Sequence, residues 1–113
     1  MENLQNLELK LISGAYNKKA DGVYIGDILS YALAKIKEGN IWVTSQINVN
    51  VVAIAFQKKA ACVILADGLM LDDEAYKKAK EHNVNVFSSS KSAYEIAVDL
   101  CRIYGGKNEW LYS

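Results

Sequence analysis

Side chains able to carry covalent or acid–base chemistry are few in this chain and scattered along it. There is one histidine, His82, and there are two cysteines, Cys62 and Cys101. A nucleophile needs a base beside it and the base needs an orienting partner. The serine run Ser88-Ser89-Ser90 has no base in view, and His82 falls late on a charged surface helix, where its simplest role is to satisfy terminal carbonyls. Gly106-Lys107 is followed by Asn108, and Cys101 stands where a phosphate-binding P-loop has its first glycine, so nucleotide hydrolysis is not supported either. Cys62 lies in an apolar run and Cys101 on the apolar stripe of the last helix, which predicts inert buried thiols. Their spacing is not that of a CxxC pair, and a single histidine is too little for a zinc site. Asp72, Asp73 and Glu74 are consecutive at a helix start, where capping and the helix dipole account for them without a metal. The sequence therefore predicts a non-enzyme with no catalytic residues, metal or cofactor.

Binding chemistry remains. Four short polar loops each follow a predicted strand: Gly26-Asp27, Thr44 to Asn50, Asp67-Gly68 and Ser88-Ser89-Ser90. In an open α/β sheet ligands sit beyond the carboxyl ends of the strands, where helix N-termini offer unpaired N–H groups suited to anions. Gly26, Asp27, Thr44, Ser45, Gln46, Asn48, Asn50, Ser88 and Ser89 are thus candidate ligand-binding residues for a small polar or anionic metabolite. The same residues also read as caps and turns, as in most α/β domains. Thr44 to Asn50 is the strongest part of the candidate site, because it holds more polar groups than capping needs.

The elements that must position these loops follow from periodicity. Leu7, Leu9 and Leu11 alternate with Glu8 and Lys10, the period of an edge strand with one face buried. Val23-Tyr24-Ile25 is a second strand, and Asp27 is placed to cap a helix through Ile28, Leu29, Ala32, Leu33 and Ile36 that Gly39 ends. Ile41-Trp42-Val43 is a third strand. The all-apolar run Val51 to Phe56 fits a buried strand or a buried helix. Preceding caps, recurrent alanine and the extension Gln57-Lys58-Lys59 favour a helix buried on two sides. Ala61 to Ala66 has the continuous apolar pattern of a parallel strand covered on both faces. A surface helix starting at Asp72 or Asp73 is predicted to pair Asp73 with Lys77 and Glu74 with Lys78, and Val84 to Phe87 forms the last strand. Ser92 and Glu95 have capping-box spacing before a helix whose stripe is Ala93, Ile96, Ala97, Leu100, Cys101 and Tyr104. The order predicts an α/β fold, a mostly parallel open sheet of about five strands with helices on both faces.

Composition narrows the class. The chain has 113 residues, half of them hydrophobic, no proline, and thirteen basic side chains against thirteen acidic ones. That is a globular domain large enough for its own core. Its dispersed charge provides no footprint for nucleic acid. The longest apolar runs are too short to span a membrane, and the start Met1-Glu2-Asn3 does not read as a signal peptide, so a cytoplasmic location is expected. Residues 1–106 read as one domain and 107–113 as a C-terminal tail. Tyr16, Tyr24, Tyr31, Trp42 and Trp110 are too many for one small core. Tyr24, Tyr31, Trp110 and Tyr112 are therefore candidate interface residues, with a twofold homodimer the expected assembly and packing of the tail on its own domain the alternative.

The stretches Gly22 to Ser30, Gly39 to Thr44 and Asn50 to Ala55, continued through Ala61 to Ala66 and Ser88 to Ala97, resemble the DRTGG domain family over nearly the whole chain. The resemblance implies a non-catalytic regulatory module, found alone or fused to phosphotransacetylases and CBS-containing inorganic pyrophosphatases, and similar to the N-terminal domain of HPr kinase. It also supports the helical reading of Val51 to Phe56. The Asp-Arg of the name motif would fall just after the third strand, where this chain reads Ser45-Gln46-Ile47-Asn48. Without that arginine, an anion would depend on backbone N–H groups and neutral side chains. Stand-alone members resemble the subset found near genes for redox or hydrogenase-type proteins. That implies, as the alternative to a ligand sensor, an interaction or scaffold subunit for a metabolic or redox protein partner.

Overall fold

A computed structural model describes residues 7–15 and 18–104. The described elements are β1 (Leu9–Ser13), β2 (Val23–Ile25), α1 (Leu29–Lys35), β3 (Ile41–Thr44), α2 (Val49–Gln57), β4 (Cys62–Leu65), α3 (Asp73–His82), β5 (Val86–Ser89) and α4 (Ala93–Tyr104). They build one mixed sheet in the order β1-β5-β4-β3-β2. Strands β2 to β5 are parallel, and β1 runs antiparallel along β5. This is the mostly parallel α/β sheet that the element order predicts.

Because β2, β3, β4 and β5 step across the sheet in one direction, a constant crossover hand places α1, α2 and α3 on the same face. The packing agrees. Ala32, Val51, Val52, Ala55, Ala75 and Ala79 form one cluster with Trp42, Val63, Leu65 and Val86. Helix α4 covers the other face, with Ile96 and Leu100 against Ile41, Val43, Cys62, Ile64 and Phe87. Every residue of β3 and β4 is buried, which is why their sequences are continuously apolar rather than alternating.

Several local predictions hold at atomic detail. The run Val51 to Phe56 is helical, with the Asn48 side chain accepting from the Asn50 N–H at its start. Asp72 caps α3 by accepting from the Ala75 N–H. Ser92 and Glu95 bond reciprocally, each side chain accepting from the other's N–H. Cys62 is buried, and desolvation pushes its thiol up to about 12, so it stays protonated and inert.

Other predictions are corrected. Asp27 does not cap α1: the N-cap is Ile28, without a side-chain hydrogen bond, and the helix ends at Lys35 rather than at Gly39. Ile36 leaves the helix in an extended conformation that buries its side chain, and Gly39 serves the turn into β3. The β1 alternation breaks at a bulge between Leu11 and Ser13, so Leu11 is exposed while Ile12 is buried against the opposite face. Gly14 is needed there, since a Cβ on it would lie 2.0 Å from Asn85 Oδ1. Strand β5 both begins and ends two residues later than predicted, which puts Ser88 and Ser89 inside it. Helix α2 is buried on one side only, with Ala53 and Phe56 exposed. Lys78 pairs with Glu81 instead of Glu74. Cys101 is exposed, because the α4 stripe runs from Ile96 to Leu100 and on to the partly buried Ile103 and Tyr104.

Candidate functional site at the carboxyl rim

All four parallel strands end at one rim, so the loops chosen from sequence do share an edge. They divide into two groups. Neighbouring strands are about 4.8 Å apart, so the ends of β3 and β5, with β4 between them, stand about 10 Å apart.

The first group lies at the ends of β2 and β3 and is organised by Asp27. Its Oδ1 accepts from the Thr44 hydroxyl at 2.7 Å and from the Ser45 N–H at 2.7 Å. The Thr44 oxygen accepts in turn from the Gln46 N–H at 3.2 Å. The Gln46 amide donates to the Asp27 carbonyl at 3.0 Å and accepts from the Asn48 amide at 3.1 Å. Asn48 then caps α2. Desolvation acts to raise the Asp27 pKa, but the Ser45 N–H and Thr44 hydroxyl outweigh it and hold the carboxyl below its ordinary value. The side chain that resembled a helix cap is therefore an exposed anion that takes up the Thr44 hydroxyl and the Ser45 N–H at the rim. Gly26, Asp27, Thr44, Ser45, Gln46, Asn48 and Asn50 are brought together as one network.

The second group lies at the ends of β4 and β5 and is closed by the main chain. Asp67 and Gly68 both have positive φ, and their N–H groups donate to the Lys91 and Ser89 carbonyls at 2.9 and 2.7 Å. Ser88 Oγ donates to the Leu69 carbonyl at 2.6 Å, and Ser89 Oγ accepts from the Lys91 N–H. Both serines are buried. They are strand residues with committed hydroxyls, apart from the Asp27 network, rather than open loop donors. The cation beside them, Lys91, is bound by Asp99, whose hydrogen bond raises its pKa.

Two supports went unread in the sequence. Trp42 is wholly buried under the first group and donates its indole N–H to the Gly26 carbonyl at 3.0 Å. The Tyr24 ring lies over Gly26, where an added Cβ would sit 2.9 Å from its hydroxyl oxygen. The signal was present: the aligned β2–β3 register pairs Tyr24 with Trp42, and both precede the polar loop. Tyr24 is half-buried against the core and Tyr31 is exposed. Trp110 and Tyr112 lie outside the described residues.

With this geometry in place, comparison with known proteins is informative. The profile of the DRTGG domain matches residues 4–103. The chain belongs to the DRTGG domain family. A comparison with curated proteins gives no match. Among solved structures, this DRTGG domain is similar to the CBS and DRTGG domains of the regulatory region of Clostridium perfringens pyrophosphatase, which was crystallised with its activator, diadenosine tetraphosphate. The TM-score is 0.67 at 17% identity, covering 87% of this chain and 44% of that one. The DRTGG chain thus spans less than half the length of that regulatory region, and at this identity the likeness establishes the fold. Among the described residues, no cluster of three or more His, Cys, Asp or Glu side chains could hold a metal, and no helix is long and apolar enough to cross a membrane.

Proposed function

We propose that this DRTGG domain is a regulatory module that senses a small polar metabolite at the carboxyl rim, through the Asp27 network. The observation carrying this reading is that Asp27, Thr44, Gln46 and Asn48 satisfy one another across two loops and a helix start. A ligand entering there would exchange these bonds for its own and shift β2 relative to α2. The central carboxylate favours a ligand bearing donors, such as an amine or hydroxyl group, over a bare anion, because Asp27 already occupies the donors an anion needs. The pyrophosphatase neighbour's complex with an activator supports a ligand-responsive role. A thermal-shift and calorimetry panel of amines, amino acids, polyols, nucleotides and acyl phosphates is the test, since a ligand stabilises by RT ln(1 + [L]/Kd). We expect a donor-bearing hit whose shift disappears in Gln46→Ala. A panel with no shift at all counts against the reading. Asn48→Ala is a poor probe here, because losing the α2 cap alone costs about 1 kcal/mol.

A specific observation also favours a protein contact. Among the described residues strand β2 is an edge of the sheet, with Ile25 exposed at its end and Ile28, Tyr31 and Leu33 exposed on the loop and helix that follow. An edge of this kind suits a twofold contact between copies, or a metabolic or redox protein partner. Light scattering is expected to show a dimer that Ile28→Glu with Tyr31→Glu converts to a monomer. A wild-type monomer would remove the homodimer from the proposal.

A further inference from the structure

Helix α1 presents an exposed stripe whose two ends carry opposite charge. Ile28, Tyr31 and Lys35 follow one another at the three- and four-residue spacing of a single helix side. Ile28 is 56% and Tyr31 55% exposed, and the Lys35 Nζ stands 5.6 Å from the Tyr31 ring centroid. Between Gly22 and Ala34 the single charged side chain is Asp27. The far end is basic: Lys35 borders a hollow with Lys37, Lys58 and Lys59 against one acid, Glu38. The C-termini of α1 and α2 meet there and together carry about one negative charge, which leaves that end cationic. We propose, resting on the homodimer reading above, that two copies pair this stripe antiparallel about a twofold axis at Tyr31, bringing Lys35 of the partner subunit to the Asp27 end of the rim.

Charge selects both the occupant and the axis. Asp27 lies four residues before Tyr31 and Lys35 four residues after it. A twofold at Tyr31 that reverses the helix therefore sets the acid of each copy toward the base of the other. A twofold running along α1 would instead set Asp27 beside its own copy and bring the two lysine-rich ends together, a like-charge contact that disfavours association. An apolar centre with opposite charges at equal distance on either side is complementary to itself, which is what an isologous contact demands and an unrelated partner does not. Asp27 can take the added contact: its bonds from Thr44 and Ser45 both go to Oδ1, and a carboxylate has about four acceptor positions. The stripe is short and its charges are exposed, so the association is expected to be weak and to loosen with salt. Because Asp27 then belongs to the rim network and to the contact between copies, whatever binds the rim acts on assembly as well.

The test combines disulfide trapping, sedimentation equilibrium and carboxyl NMR on the whole chain, with trapping done in a Cys101→Ser background because Cys101 is exposed. Tyr31→Cys should cross-link on oxidation, since residues on the axis can approach within the roughly 4.4–6.8 Å between Cα atoms that a disulfide spans. Ile28→Cys should not, because three residues of offset in each copy separate the pair by about 9 Å along the helix. At low salt Lys35→Glu should weaken dimerisation about tenfold with Tm little changed, as its side is exposed. The Asp27 carboxyl should titrate lower in the wild-type dimer than in Lys35→Gln. Trapping of Ile28→Cys as readily as Tyr31→Cys, no trapping of Tyr31→Cys, undiminished dimerisation of Lys35→Glu, or an Asp27 titration that Lys35→Gln leaves unmoved would each overturn this geometry and leave the homodimer standing. A wild-type chain that stays monomeric at millimolar concentration would overturn both.

Discussion

The two halves of the carboxyl rim solve one structural problem in different ways. At β2 and β3 the loop ends are satisfied mainly through side chains: the Asp27 carboxylate accepts from the Thr44 hydroxyl and the Ser45 N–H, and the Gln46 amide donates to the Asp27 carbonyl. At β4 and β5 the loops are stitched by main-chain bonds from Asp67 and Gly68, and buried Ser88 anchors Leu69. A rim closed by its backbone opens only if the strands move, whereas one closed largely by side chains can open with smaller, side-chain rearrangements. The difference is why the proposed ligand response is assigned to the first half rather than to the second.

The largest effect that can break this contrast comes from beneath the first half. Trp42→Ala should cost about 3–5 kcal/mol in urea unfolding, from lost burial and an unpaired Gly26 carbonyl. Hydrogen exchange should loosen at Gly26 and Ser45 while Asp67 and Gly68 stay protected. Equal loosening in both halves would mean that the rim behaves as one unit. Next in size, Thr44→Val and Ser88→Ala each remove one hydroxyl donor and should each cost about 1 kcal/mol. Only Thr44→Val should alter ligand shifts.

Acid separates the halves more finely. The Asp27 carboxyl titrates lower in the folded chain than in the unfolded one, so on acidification the unfolded chain takes up its proton first. Its stabilising contribution is complete above the unfolded value, about 3.9, and is lost as pH falls through the folded value. Asp27→Asn should flatten that part of the stability profile, and Ser88→Ala should leave it as in the wild type. Smallest of all, Gln46→Ala should cost about 0.5 kcal/mol, the low end for loss of side-chain hydrogen bonds, yet erase the response to a rim ligand. A large loss of stability in Gln46→Ala would make the network structural rather than responsive.

Much of the fold was legible because it rests on local rules. The capping box Ser92–Glu95, the Asp72 cap and the continuous apolar strand through Cys62 to Leu65 each follow from neighbours within a few residues. Loops at the strand ends were likewise found by type. What they do there was not legible, because a polar residue after a strand can bond its own helix or a neighbouring loop, and the choice depends on distance across the sheet. Asp27 is the clear case: its spacing fits an N-cap, but Thr44 and Ser45, seventeen and eighteen residues away, are nearer in space. Ser88 and Ser89 illustrate the same limit, since a two-residue change in where β5 ends turns loop hydroxyls into buried strand contacts.

By itself, then, the order of residues determined which segments are helix or strand and that the central strands lie side by side in parallel. Those features depend on hydrophobic period and on short-range caps, which act within one or two turns. Only the folded sheet decided that Asp27 faces its neighbours across the rim, that Cys101 and Phe56 face outward, and that a bulge turns β1 over at Ile12. Such outcomes are set by which surfaces remain after α1, α2 and α3 crowd one face and α4 covers the other, a competition for area that no local window of sequence contains.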